Sequence, residues 1–152
     1  MPKIDIAAIA PRTSSIYPDA FADLVRGRYK QALGNAAGLT QFGVNLTRLA
    51  PGAISALKHW HENEDEFVFI LEGEATLIED GAETPLRAGE AAGFKAGERV
   101  AHQIANRSQA DVVYLEIGTR APREQAHYPD DDLTYRRDEA GHHFHRKDGT
   151  PY

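Results

Sequence analysis

The chain has 152 residues, 41% hydrophobic and 26% charged, with a formal net charge of −6 and no cysteine. That length suits one domain with a substantial core. Net acidity without a basic run argues against a generic nucleic-acid surface, and the absence of cysteine excludes disulfides, thiolate metal sites and a Cys–His nucleophile.

Residues 1–38 read as an N-terminal arm. The opening MPKIDIAAIAPRTSS lacks the apolar core of a signal peptide, and no run in the chain approaches transmembrane length. The expectation is a cytoplasmic protein that engages no membrane. Pro11 and Pro18 interrupt helix; Ala20–Val25 has room for one helical turn, with Asp19 as its cap. Residues 27–33 show no clear pattern.

From Thr40 the pattern changes to short strands. Thr40–Leu49 alternates, with Phe42, Val44 and Leu46 on one face, and Pro51-Gly52 ends it. Ala53–His61 is expected as the next strand. His59 and His61 sit one residue apart, so on a strand both imidazoles share a face. Glu66 opens the run Phe67–Leu71, which is apolar on both faces and needs cover outside the barrel as well as inside. A homodimer is the expected cover, with the arms as the other source. Glu74–Glu79, the Asp80-Gly81 turn and Thr84–Leu86 make a hairpin. Ala91–Phe94, His102–Ala105 and Val112–Ile117 follow. Many short strands at regular spacing indicate a barrel or sandwich.

Two histidines and a carboxylate on one strand pair suit a divalent first-row metal. His102, beyond the glycine-rich bend at Gly97, is a further candidate from a separate strand. These residues stand in two motifs, and through them the chain resembles the cupin superfamily. In the first motif, His59-Trp60-His61, the four-residue gap to Glu66 and the six-residue gap to Gly73 fit, while six residues rather than five separate Gly52 from His59. In the second, Gly89, Gly97 and the His102–Asn106 gap fit. Lys95 replaces a proline, and four residues rather than two separate Gly97 from His102.

The resemblance implies an all-β, cupin-type double-stranded β-helix, or jelly-roll barrel. The barrel would span residues 39–118, with a C-terminal arm over 119–152 packing on the barrel or on a partner. It also implies one mononuclear divalent metal per chain (zinc, iron, nickel or manganese) held by His59, His61, Glu66 and His102. Three readings follow. An isomerase or lyase acting on a small oxygenated substrate, in the manner of a sugar-phosphate isomerase, would use Lys95, Arg99 or Arg107 to meet an anion. A metal-dependent dioxygenase would need an apolar cavity. A non-catalytic module would use the barrel only to bind a small molecule. Tyr114 and Glu116 are the first candidates for catalytic groups, facing either cavity or solvent. Asn106 is expected to serve the turn after its strand. Trp60 should point away from the histidines. His142, His143 and His145 read as an exposed tail strand rather than a second metal site, and the tail is expected to fold as a hairpin around Glu139-Ala140-Gly141.

Overall fold

A computed structural model describes residues 3–152. The N-terminal arm holds one α-helical turn, α1 (Asp19–Ala22), continued by a 3-10 turn at Asp23–Val25. Asp19 does not cap it: Pro18 occupies the N-cap and no side chain bonds there. Proline suits the place, since a helix start leaves its first N–H groups unpaired.

Among the described residues, twelve strands form the body. Five of them build one wall: β1 (Arg28–Ala32), β2 (Phe42–Leu49), β4 (Glu66–Glu72), β7 (Ala91–Phe94) and β9 (Val112–Thr119). Their order is β1-β2-β9-β4-β7, and the pairings are antiparallel. The second helical turn, α2 (Leu33–Ala36), joins β1 to β2. Opposite lie β5 (Glu74–Glu79), β6 (Ala82–Arg87) and β8 (His102–Ala105), ordered β6-β5-β8. The chain after residue 118 adds β10 (Glu124–Tyr128), β11 (Leu133–Asp138) and β12 (Gly141–His145). With β3 (Trp60–His61) these run β12-β11-β10-β3. A bridge between His59 and His102 joins that sheet to β8. The result is the all-β cupin-type jelly roll.

Two elements differ from the sequence reading. Ala53–His61 is not one strand; only Trp60–His61 is strand. Ile54 bridges Ala105 and His59 bridges His102, so five residue steps on one side meet three on the other. The two extra residues make a bulge: Ser55 and Ala56 line the cavity, and Leu57 turns into a satellite core with Tyr128, Leu133 and Tyr135. Conversely, β1 is a regular strand where no pattern was legible. Its inward face carries Arg28 and Lys30, so polarity is inverted relative to an ordinary half-buried strand.

The hairpin turns match their residues. Asp80 and Gly81 both take positive φ, 44° and 84°, as a two-residue turn with right-handed twist requires. Gly141, at φ 115°, follows the turn between β11 and β12. The main core gathers Leu49, Val68, Ile70, Leu77, Ile104 and Val112 between the walls. Above this packed layer the barrel stays open, and the site lies there.

Candidate metal centre

His59 and His61 project into the barrel from the bulged segment and β3, Glu66 from the start of β4, and His102 from the start of β8. Their ring nitrogens meet at one atom. Glu66 Oε2 lies 2.9 Å from His102 Nε2, 3.5 Å from His61 Nε2 and 3.6 Å from His59 Nε2. Donors about 2.0–2.2 Å from a common ion would stand roughly 2.8–3.6 Å apart, depending on octahedral or tetrahedral geometry. The observed edges fall in that span, and imidazole with carboxylate is a donor set for a divalent transition metal. His59, His61 and Glu66 stand close enough together to hold such an ion, and His102 meets the same Glu66 oxygen from β8.

The His59 ring is hydrogen-bonded from behind, whereas His61 Nδ1 and His102 Nδ1 are buried without a hydrogen-bond partner. His59 Nδ1 contacts the Leu57 carbonyl at 2.7 Å, an arrangement that puts a proton on Nδ1 and leaves Nε2 free to donate electrons. Phe94 stacks on His102 with ring centroids 3.5 Å apart, and Tyr128 stacks on His59 at 5.6 Å. His61 Nδ1 faces Glu124 Oε1 at 3.7 Å. Glu124 is buried and accepts backbone N–H groups from Glu62, Asn63 and Gln125 at 3.0, 3.3 and 2.8 Å.

Without a metal these groups share charge. Burial disfavours a proton on His61, but Glu124 on one side and Glu66 on the other outweigh it and push its pKa up to about 10. Burial alone would raise the Glu66 pKa; contacts with His102, His59 and His61 hold it well below the usual carboxylate range. His102 is shifted down, first by burial and then by the charges of His59 and His61, against the pull of Glu66.

The cluster opens into a cavity of about 230 Å³. Tyr114 and Glu116 both line it. The Tyr114 hydroxyl is fully buried with no hydrogen-bond partner, and burial followed by the Glu116 charge holds its proton on well above a phenol's usual range. Glu116 accepts from Lys30 Nζ at 2.7 Å.

The cations at this cavity are Arg12, Arg28, Lys30 and Arg137, all from the flanking segments. Of the cations expected there, Arg107 pairs with Glu83 at 2.6 Å on the surface and Arg99 sits over Trp60, while Lys95 lines a smaller adjoining pocket that His61, Glu66 and His102 also wall. Trp60 points away from the histidines and stacks on His127 at 4.2 Å. Asn106 is buried and donates to the Leu49 and Ala110 carbonyls at 2.9 and 2.8 Å, tying the turn after β8. In the tail, His142 contacts the Tyr135 hydroxyl at 2.7 Å and His143 contacts Asp138 at 3.1 Å. Among the described residues, the groups spaced to hold an ion are His59–His61–Glu66 and His61–Glu64–Glu124, so the tail histidines form none. Glu124 escaped the sequence reading because nothing local marks a carboxylate 63 residues beyond its histidine.

Fold and site together define a small cupin domain with a His/Glu group that could hold a metal. A family model for the cupin domain matches residues 45–118. An oxalate-binding protein of Thermotoga maritima is 30% identical over 115 residues, covering 70% of this chain and 89% of that protein. The chain belongs to the cupin superfamily.

Among solved structures, a cupin-superfamily sugar phosphate isomerase from Silicibacter pomeroyi is 45% identical, with a TM-score of 0.96 over 99% of this chain and 96% of that one. The tetracenomycin polyketide synthase protein TcmJ of Streptomyces glaucescens is 30% identical over 97 residues, 63% of this chain and 63% of that protein. No helix of the described residues is long and apolar enough to cross a membrane.

Proposed function

We propose that the protein is a mononuclear metal-dependent isomerase of small sugar phosphates, with His59, His61, Glu66 and His102 as metal ligands. The observation that carries this reading is the convergence of three imidazole Nε2 atoms on one oxygen of Glu66, within 3.6 Å, at the head of a cavity. The likeness to the Silicibacter pomeroyi isomerase supports the substrate class.

A bound metal supplies a Lewis acid for a carbonyl or hydroxyl oxygen of the substrate. The protein's own groups do the rest. Glu116 lines the cavity as a carboxylate beside Lys30 and serves as the proton carrier. It takes the proton from the carbon next to the carbonyl; the C–H electron pair becomes the C=C bond, the carbonyl π pair moves onto its oxygen, and the hydroxyl proton of the deprotonated carbon passes to that oxygen, giving an enediolate. Return of the proton to the adjacent carbon completes the exchange of aldose and ketose. One carbon is oxidised as its neighbour is reduced, so no outside redox partner is required. Phe94, Val68 and Ile104 provide the apolar part of the wall that limits water around the reacting carbons.

The outer face of the five-stranded wall supports a homodimer. Register places Phe67 against Ile117, Phe69 against Leu115, and Leu46 and Val44 beside them on the same side. Phe67 remains 42% exposed. A second copy would remove this apolar face from water.

The test is metal analysis of untagged protein, followed by a panel of pentose and hexose phosphates assayed with and without chelator. One metal per chain and chelator-sensitive interconversion are expected. One metal per chain with no interconversion, but tight oxalate binding, would replace the enzyme by a binding role like that named for the Thermotoga maritima relative.

A further inference from the structure

The cavity holds a buried charge that the metal cluster does not use. Arg28 is only 8% exposed, lines the cavity, and donates to the Ser55 carbonyl. A guanidinium carries five N–H donors and keeps its charge at any physiological pH. Among the described residues Arg28 joins no ion pair, whereas the cavity cations Lys30 and Arg137 are held by Glu116 and Glu64, and Arg12, likewise without an ion pair among the described residues, is exposed. A buried cation without a counter-ion is costly, and the cost falls when an anion arrives.

A second, independent feature lies on the same wall. The Tyr114 hydroxyl is buried, lines the cavity and has no partner. Strand register brings it near Arg28 and Lys30. Arg28 pairs with Leu49, and Leu49 with Val112, two residues before Tyr114; Lys30 pairs with Thr47, and Thr47 with Tyr114. A guanidinium and a phenol thus face one space, both able to donate, with the Lys30 ammonium beside them held by Glu116. That is the chemistry that recognises an anion with several oxygens.

Position relative to the imidazoles follows from β8. Ser55, the carbonyl partner of Arg28, donates its N–H to Ile104 O at 2.8 Å. Ile104 faces the same side as His102, two residues on, so the two levels are about 7 Å apart. That spacing suits a short carbon chain with a reacting oxygen at one end and a phosphate at the other.

We propose that Arg28, with the Tyr114 hydroxyl, forms the seat for the phosphate of the substrate. This assignment rests on the sugar-phosphate reading above. Arg28 is therefore a specificity residue rather than a strut for the Ser55 segment alone.

Calorimetric titration of chelator-treated protein with inorganic phosphate, at constant ionic strength, reads the seat without the metal. Saturable binding of one phosphate per chain is expected in the wild type. Arg28→Gln, which keeps a donor for the Ser55 carbonyl, should weaken it at least tenfold, and Tyr114→Phe several-fold. Equal phosphate affinity in Arg28→Gln and wild type, or no binding by the wild type, overturns the proposal. Oxalate bound in preference to phosphate, through Arg28, overturns the phosphate assignment. If circular dichroism shows Arg28→Gln unfolded, Tyr114→Phe carries the comparison, and unchanged affinity in it overturns the proposal. Failure of the isomerase reading looks different. Arg28-dependent phosphate binding with no sugar phosphate converted keeps the seat and removes the reaction. Conversion with KM unchanged in Arg28→Gln keeps the reaction and removes the seat.

Discussion

Glu124→Gln isolates the carboxylate behind His61. In the native structure one oxygen of Glu124 accepts the N–H groups of Glu62, Asn63 and Gln125 and also faces His61 Nδ1 at 3.7 Å. A glutamine amide oxygen at that place keeps the three backbone bonds but loses the charge. The expected stability loss is about 1 kcal/mol, the charge-assisted part of those bonds, or roughly 2–4 °C in Tm for a chain of this size. Metal affinity should fall about 10–100-fold, as is typical when the partner of a ligating histidine is lost.

Glu124→Ala is the contrast. It strands the half-buried N–H groups of Asn63 and Gln125, while the Glu62 N–H keeps the Gln125 carbonyl at 3.0 Å, and a loss of about 2–3 kcal/mol is expected. Metal titration monitored by competition with a chromogenic chelator, beside thermal melts of the metal-free proteins, separates the two effects. Unchanged metal affinity in Glu124→Gln would refute the orienting role. Equal Tm losses in both variants would refute the hydrogen-bond argument.

The pH dependence of the metal-free protein has a definite sign on each flank. Burial would raise the Glu124 pKa, but His61 and the Asn63 and Gln125 N–H groups lower it. Its contribution is present above the ordinary carboxylate pKa of about 4.3 and is lost as pH falls through the lower folded value. His61 is the opposite case. Its folded pKa of about 10 lies above the unfolded one, so its contribution is complete below about pH 6.5 and is lost as pH rises toward 10. Melts from pH 6 to 10 should therefore fall more steeply for wild type than for Glu124→Gln.

Further outcomes are expected from single changes. His59→Ala, His61→Ala, Glu66→Ala and His102→Ala should each drop metal content well below one per chain, and chelator should no longer lower their Tm; full metal content in all four would remove the ligand assignment. Gly73→Ala should cost about 2–4 kcal/mol by thermal melt, because Gly73 has φ 81° and an added Cβ would lie 2.6 Å from the Asp111 carbonyl oxygen; a wild-type Tm would contradict that geometry. Phe67→Glu should shift the light-scattering mass from dimer to monomer, and a monomeric wild type at micromolar concentration would dispose of the dimer. Glu116→Gln should reduce sugar-phosphate conversion by two orders of magnitude or more with metal content unchanged; near-normal turnover would move the proton carrier elsewhere.

The histidines and Glu66 were legible because their information is local. Period-2 spacing alone puts His59 and His61 on one side, and short gaps link them to Glu66 and the turn at Gly73. The barrel class was legible from strand runs and turn residues such as Asp80-Gly81. The bulge at residues 55–58 was not, because alternation says nothing about two extra residues when the partner strand lies more than forty positions away. Nor was β1, whose inward Arg28 and Lys30 look like surface residues until a cavity is placed beside them. Tyr114 and Glu116 could be put on one face of a strand, but which side that face met depended on β2 and β4 flanking β9. Glu124 reaches His61 only because β10 pairs with β3, and Arg28 approaches Tyr114 only through β2. Local spacing determines which side chains share a face; pairing between distant strands determines what that face encloses, because register is set by long-range hydrogen bonds and core packing rather than by neighbours in the chain.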